Sequence, residues 1–272
     1  MAWLKLTQKS LYLMEKDLYR KKIDLRDHNG TPVLDIPLEW FKEDKTLPRV
    51  VSISNDGEPS PMPQPKFSGN DLASRILRYM TKKNYSIFEG PKKYNIIYVE
   101  GMSTNGVLNK DERNQFNDIR LVIEIVEGNP KIVGGPWEAT TEPGDRHTYT
   151  PVNDKGAARI KFGQYAAWQV DMHAVGHEAL VQTGKLSVHR DANQDGFRTN
   201  DAIDTGSLFG INQHHGFDYP KNDIKDASAG CLVGRSIEEH KTFMRLIKQD
   251  CRYQDARDFT FTTTIIPGDE LD

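Results

Sequence analysis

The chain of 272 residues has only two cysteines, Cys231 and Cys251, too few for a disulfide framework. Their local settings differ, which argues against their pairing with each other. No stretch approaches the roughly 20 apolar residues of a membrane helix, so no transmembrane segment is expected. The start, Met1-Ala2-Trp3-Leu4-Lys5-Leu6-Thr7-Gln8, has no apolar core and no small-residue cleavage site, so no secretory signal is expected either. Charge of one sign is not in excess. The formal net charge is -3, which leaves no basic stripe for nucleic acid, since phosphate binding needs clustered Lys and Arg. Repeats are missing too. What is there is a polar but globular mixture, 37% apolar and 28% charged, without the charge imbalance of a disordered chain. The length suffices for one sizeable core or two small ones.

Proline punctuates the chain at one place. Four prolines within residues 59–65 favour an extended linker and exclude helix, so the chain is divided into a module over 1–54, a Pro-rich linker over 55–67 and a larger domain over 68–272. In the first module Leu11–Met14, Lys22–Leu25, Val33–Ile36 and Arg49–Ile53 read as short strands, with Asn29-Gly30 as a hairpin signal. An SH3-like β-barrel that binds wall or partner fits this size. After the linker, Asn70 is placed to cap a helix carrying Leu72, Ile76, Leu77 and Met80. Strands then dominate: Asn95–Val99, Ile119–Val126 with Lys131–Val133 as a hairpin, Leu208–His214, and the tail Phe259–Ile266. Residues 134–168 have no helical period and read as strands and loops. Ser236 and Glu239 form a capping box for a helix with Phe243, Met244 and Ile247 on one face. The expected fold class is mainly β with a few helices.

Chemistry concentrates in Phe209-Gly210-Ile211-Asn212-Gln213-His214-His215-Gly216 and Ser228-Ala229-Gly230-Cys231-Leu232-Val233-Gly234-Arg235. A thiol attacks a carbonyl as thiolate, and a nearby imidazole can take its proton and return one to the leaving amine. Backbone amides beside the thiol can hold an oxyanion. Gly230 removes bulk beside the thiol, Ser228 can bond its neighbours, and Arg235 can grip a carboxylate. Taken singly, a cysteine is more often a small buried hydrophobe and paired histidines are often surface residues. Their joint spacing favours catalysis.

These residues resemble the L,D-transpeptidase (YkuD-type) catalytic domain, whose signature is a strand-borne histidine followed about sixteen residues later by the cysteine of Ser-His-Gly-Cys-x-Arg. Here His215 precedes Cys231 by sixteen residues and His214 by seventeen. The likeness spans about residues 90–266, its specific part 209–235. It implies a β-sandwich catalytic domain, a Cys-His pair needing no cofactor, and action on peptidoglycan stem peptides by hydrolysis or transfer. Ala229 stands where the family has a second histidine, and Arg235 is four residues past the cysteine rather than two. The chain looks closer to a divergent, phage- and lysin-like set with an Asn-Ile-His strand, here Asn212-Gln213-His214, and a Ser-Ala-Gly-Cys turn. By that likeness His214 is the base, and strand alternation lets only one of His214 and His215 meet the thiol. The absence of a leader fits delivery to the wall or periplasm by phage-like or injection machinery.

Other residues compete. Asp191, Asn193 and Asp195 followed by Gly196 match the first half of a calcium loop, but position 12 is Ala202, so Asp201 or Asp204 must complete it. A plain Asx-rich turn explains the same residues. His173 and His177 have nearly the spacing of helical zinc ligands, and with His189 they suggest a zinc amidase or peptidase instead. Arg146, His147, Tyr149, Arg159 and Asn212 are candidates for a substrate wall beside Arg235, while Trp137, Tyr165 and Trp168 read as core. A dead catalytic fold retained for wall binding is the remaining alternative.

Overall fold

The computed structural model describes residues 24–26, 32–35 and 66–271, except 174 and 175. It divides the chain into two compact units, 1–64 and 65–272. In the first unit β1 (Asp24–Arg26) pairs antiparallel with β2 (Pro32–Asp35). The strands expected at Leu11–Met14 and Arg49–Ile53, the SH3-like barrel and the prolines up to Pro65 lie outside the described residues.

The second unit is mainly β with a few helices. It opens with α1 (Leu72–Lys82), capped by Asp71 rather than the expected Asn70. The Asp71 carboxylate accepts from the Ser74 amide at 3.0 Å and the Ser74 hydroxyl at 2.7 Å. An anion there also complements the positive end of the helix dipole. Ile76, Leu77 and Met80 of α1 bury against Ile97 and Val99 of β3 (Tyr94–Glu100). The other face of β3, Tyr94, Ile96 and Tyr98, belongs to a second core with Trp168, Leu180 and Leu232. A strand buried on both faces reads as an unbroken apolar run, which explains why Asn95–Val99 shows no alternation.

Next come β4 (Asp118–Val126) and β5 (Asn129–Thr140). They join through Glu127 and Gly128, both at positive φ (52° and 75°), the two-residue turn whose twist suits a hairpin. A five-residue helix, α2 (Asp145–Tyr149), follows where only strands and loops were expected. One turn and a half is too short to show a period. The chain continues through β6 (Ala157–Ile160), β7 (Gly163–Met172), β8 (Glu178–Gln182), β9 (Leu186–Asp191), β10 (Ala202–Gly206), β11 (Gln213–His215) and β12 (Leu232–Gly234). It ends with α3 (Ile237–Ile247), α4 (Cys251–Asp255) and β13 (Phe261–Pro267). Ser236 caps α3 as expected, its Oγ accepting from the Glu239 amide at 3.4 Å, and Phe243, Met244 and Ile247 are buried. Residues 208–212 do not extend β11, because Gly210 turns at φ 69° and Leu208 points into solvent.

Eight strands close into a barrel in the order β11-β12-β5-β4-β3-β13-β7-β8, and β10-β9-β6 form a separate three-stranded sheet. The expected sandwich is thus replaced by a closed wall, completed where β8 meets β11 at Leu180 and Gln213. Among the described residues no helix is long and apolar enough to cross a membrane.

Candidate active site

Two neighbouring strands deliver the site. β11 and β12 run parallel, with His214 opposite Val233, and the Leu232 amide bonds the Asn212 carbonyl at 2.9 Å. Cys231 directly precedes β12. Gln213 points across to Thr263 of β13, where its amide nitrogen donates at 2.8 Å. Alternation therefore turns His214 to the opposite side.

There the Cys231 sulfur, a ring nitrogen of His214 and a ring nitrogen of His173 all lie within 4.8 Å of one another. His173 and His177 come from the β7–β8 hairpin. Their spacing suggests two ligands one helical turn apart, but they face each other across a loop closed by the His173 amide on the His177 carbonyl at 2.7 Å. Their rings stack at 5.0 Å, and His173 lies 4.4 Å from the His214 ring. His177 stacks on His215 at 3.9 Å, and His215 lies 5.8 Å from His240 of α3. Five imidazoles thus run in one row, and sequence spacing could link only adjacent pairs of them. His189 stands on β9 opposite Arg159 and Ile203 and is not one of the side chains that converge with His173.

His214 is buried, and its Nδ1 meets the His215 carbonyl at 2.8 Å. A carbonyl only accepts, so Nδ1 carries the proton and Nε2 keeps a lone pair. A main-chain oxygen thus fixes the orientation of the His214 ring. Burial pushes the His214 pKa down to about 3, against the help of that carbonyl. Burial pushes the Cys231 thiol up to about 11, opposed by the Asn212 amide, which donates to the sulfur at 3.4 Å. The pair therefore rests as thiol and neutral imidazole. Cys231 is half-buried, packed beside Phe116, Ile224, Ala227 and Val233 rather than sealed among them.

The turn before the thiol is fixed from within. Ser228 Oγ donates to the Cys231 carbonyl at 2.9 Å and accepts from the Gly230 amide at 3.2 Å, so the Gly230 amide is already committed. Gly230 sits at φ 124°, and a Cβ there would lie 2.4 Å from the Ala158 carbonyl of β6. The glycine makes room for the neighbouring sheet.

Several expected substrate contacts are engaged elsewhere. Arg159 is buried, bridging Glu100 at 3.1 Å and Glu142 at 2.9 Å, so it is part of the core and not of an open wall. Arg235 pairs with Glu138 at 2.6 Å. Asn212 uses its side-chain oxygen on the Gln182 amide at 2.9 Å. Arg146 pairs with Asp226 at 3.0 Å on an exposed surface, His147 is half-buried on α2, and Tyr149 is exposed with its hydroxyl 3.2 Å from Arg113. A 750 Å³ cleft lies at residues such as Lys66, Asp71, Glu124 and Lys131, with none of the candidate residues in its lining.

In the candidate calcium loop, Asp191 accepts from the amides of Asp195 at 3.0 Å and Gly196 at 2.9 Å, and Asn193 Oδ1 accepts from the Asp195 amide at 3.3 Å. Asp201 Oδ2 is buried with no hydrogen-bond partner among the described residues. Asp204 turns away to Arg190 at 3.2 Å, and Ala202 starts β10. Asp201, not Asp204, is the residue available to complete the loop.

No protein-family model, curated protein or solved structure matches the chain.

Proposed function

We propose that the protein is a cysteine enzyme of L,D-transpeptidase type that acts on peptidoglycan stem peptides, with Cys231 as nucleophile and His214 as base. The observation that carries this reading is the convergence of the Cys231 sulfur with a His214 ring whose Nδ1 is held by the His215 carbonyl. His214 Nε2 takes the thiol proton as sulfur attacks the carbonyl carbon, since the resting pair is neutral. The same nitrogen returns the proton to the departing amine, leaving an acyl-enzyme. With the Gly230 amide held by Ser228, the Cys231 amide is the donor left beside the sulfur for the oxyanion. Water or an acceptor amine then releases the acyl group, and hydrolysis fits a lytic role delivered by phage-like or injection machinery. His147 and Tyr149 are the side chains left to meet substrate, with Arg146 only on release from Asp226, because Arg159 is buried against Glu100.

The test is mass spectrometry of purified muropeptides incubated with the full chain and with Cys231→Ala. Products from the native chain that vanish in the variant support the reading, and they distinguish carboxypeptidase, endopeptidase and transferase. Turnover retained by Cys231→Ala would falsify it. Sacculus binding without products would mark a dead fold kept for wall binding.

A further inference from the structure

We propose that His173, His214 and Cys231 form a binding site for zinc(II), and that the bound ion holds the thiol out of acyl-transfer chemistry. The binding part stands on geometry alone, and the blocking part rests on the thiol-enzyme reading.

Two imidazoles and one thiol are a ligand set that suits zinc. Three protein ligands leave one tetrahedral position for water. Bond lengths of about 2.0–2.1 Å to nitrogen and 2.3 Å to sulfur put ligand atoms roughly 3.5 Å apart around zinc. The three atoms here lie within 4.8 Å of one another, so each need shift inward by about 1 Å or less on closing round an ion. The ligands come from three segments, the β7–β8 hairpin, β11 and the turn before β12. The supporting shell is present as well. The His215 carbonyl on His214 Nδ1, at 2.8 Å, fixes the ring so that Nε2 offers its lone pair, as backbone carbonyls do for metal-bound histidines. The Asn212 amide, 3.4 Å from the sulfur, can donate to a bound thiolate.

The step balances without a redox partner. Zinc(II) binds two neutral ring nitrogens and the sulfur, the thiol proton leaves to solvent, and water fills the fourth position. The His214 lone pair needed as base and the sulfur pair needed as nucleophile are then both bonded to metal. Binding and acylation exclude each other.

The experiment loads metal-stripped full-length protein with cobalt(II), a spectroscopic substitute for zinc. One equivalent should give the intense visible bands of a tetrahedral site and a near-ultraviolet thiolate-to-cobalt band, both displaced by zinc. Cys231→Ser should lose the near-ultraviolet band. His173→Gln should weaken binding at least ~100-fold, the upper range for losing even a supporting contact. His189→Gln should bind as the native chain does. Circular dichroism on each variant confirms folding, and the native spectrum needs no variant. Absence of the bands, a weak octahedral spectrum, or a thiolate band that survives Cys231→Ser overturns the site. Muropeptide turnover is followed in parallel. Arrest by one equivalent of zinc, reversed by chelator, supports the block, while turnover that persists with zinc bound overturns it. Tetrahedral cobalt binding in a protein that turns over no muropeptide leaves the site established and refutes the acyl-transfer reading instead.

Discussion

Replacing Arg159 with methionine separates a structural role from a substrate contact. Arg159 is buried between Glu100 at 3.1 Å and Glu142 at 2.9 Å. Glu100 is also held by Arg198 and accepts from the Thr141 hydroxyl at 2.6 Å. Although burial opposes ionisation of Glu100, Arg198 and then Arg159 overcome it and bring its pKa down to about 2. Burial pushes Glu142 up to about 8 despite Arg159, so Glu142 is mostly protonated at neutral pH. Methionine keeps much of the volume but removes a partner from an ionised buried carboxylate. Breaking such a pair costs about 3–5 kcal/mol. At roughly 2–4 °C per kcal/mol for a unit of this size, the melting temperature should fall by about 6–20 °C at neutral pH. The sign with pH follows from Glu100. Its folded pKa is depressed, so its stabilisation is present above about 4.5 and is lost as pH falls toward 2. The gap between native and variant chains should therefore be wide at pH 7 and narrow at pH 3. Thermal unfolding by circular dichroism at both pH values is the assay, with muropeptide kinetics beside it. A melt within ~2 °C of native, together with a raised KM at unchanged kcat, would refute the structural assignment and return Arg159 to the substrate wall.

Iodoacetamide should label Cys231 slowly at neutral pH in metal-free buffer. The rate should climb about tenfold per pH unit toward pH 11, where the buried thiol ionises. Mass spectrometry of the alkylated peptide reads this, and a rate that levels off near pH 7 would show an activated thiolate instead. For the Asp191 loop, calcium should raise the melting temperature, and Asp201→Asn should remove most of that rise. Identical melts with calcium and with chelator would leave the loop a plain turn.

The mainly β class, the β4–β5 hairpin, the Ser236 cap and the meeting of positions 214 and 231 were legible because each rests on local pattern or on short spacing, although the hairpin turns at Glu127-Gly128 and not over Gly128-Asn129-Pro130. That His214 rather than His215 turns toward the thiol follows from alternation once Gln213 is seen to face Thr263. What escaped the sequence depends on contacts distant along the chain. His173 reaches the thiol only because a hairpin folds it there, and the calcium-like spacing of Asp191, Asn193 and Asp195 says nothing of where Asp201 points. Arg159 lies on β6, Ala157–Ile160, in which every residue is buried, and a single arginine gives no sign of three waiting carboxylates. Asn70 was the expected cap, but the helix begins one residue later and Asp71 caps it.

The closure of the barrel at Leu180 and Gln213 has a consequence for how the molecule wears. Gln213 adjoins His214, so His214 stands on the seam, where β8 and β11 share one ladder pair and the Gln182 contacts to Ile211 and Asn212. An opening confined to that seam would part the hairpin that carries His173 from the strand that carries His214. The proposed acyl-transfer site and the proposed zinc site would then both come apart while the other strand pairs of the wall stay joined.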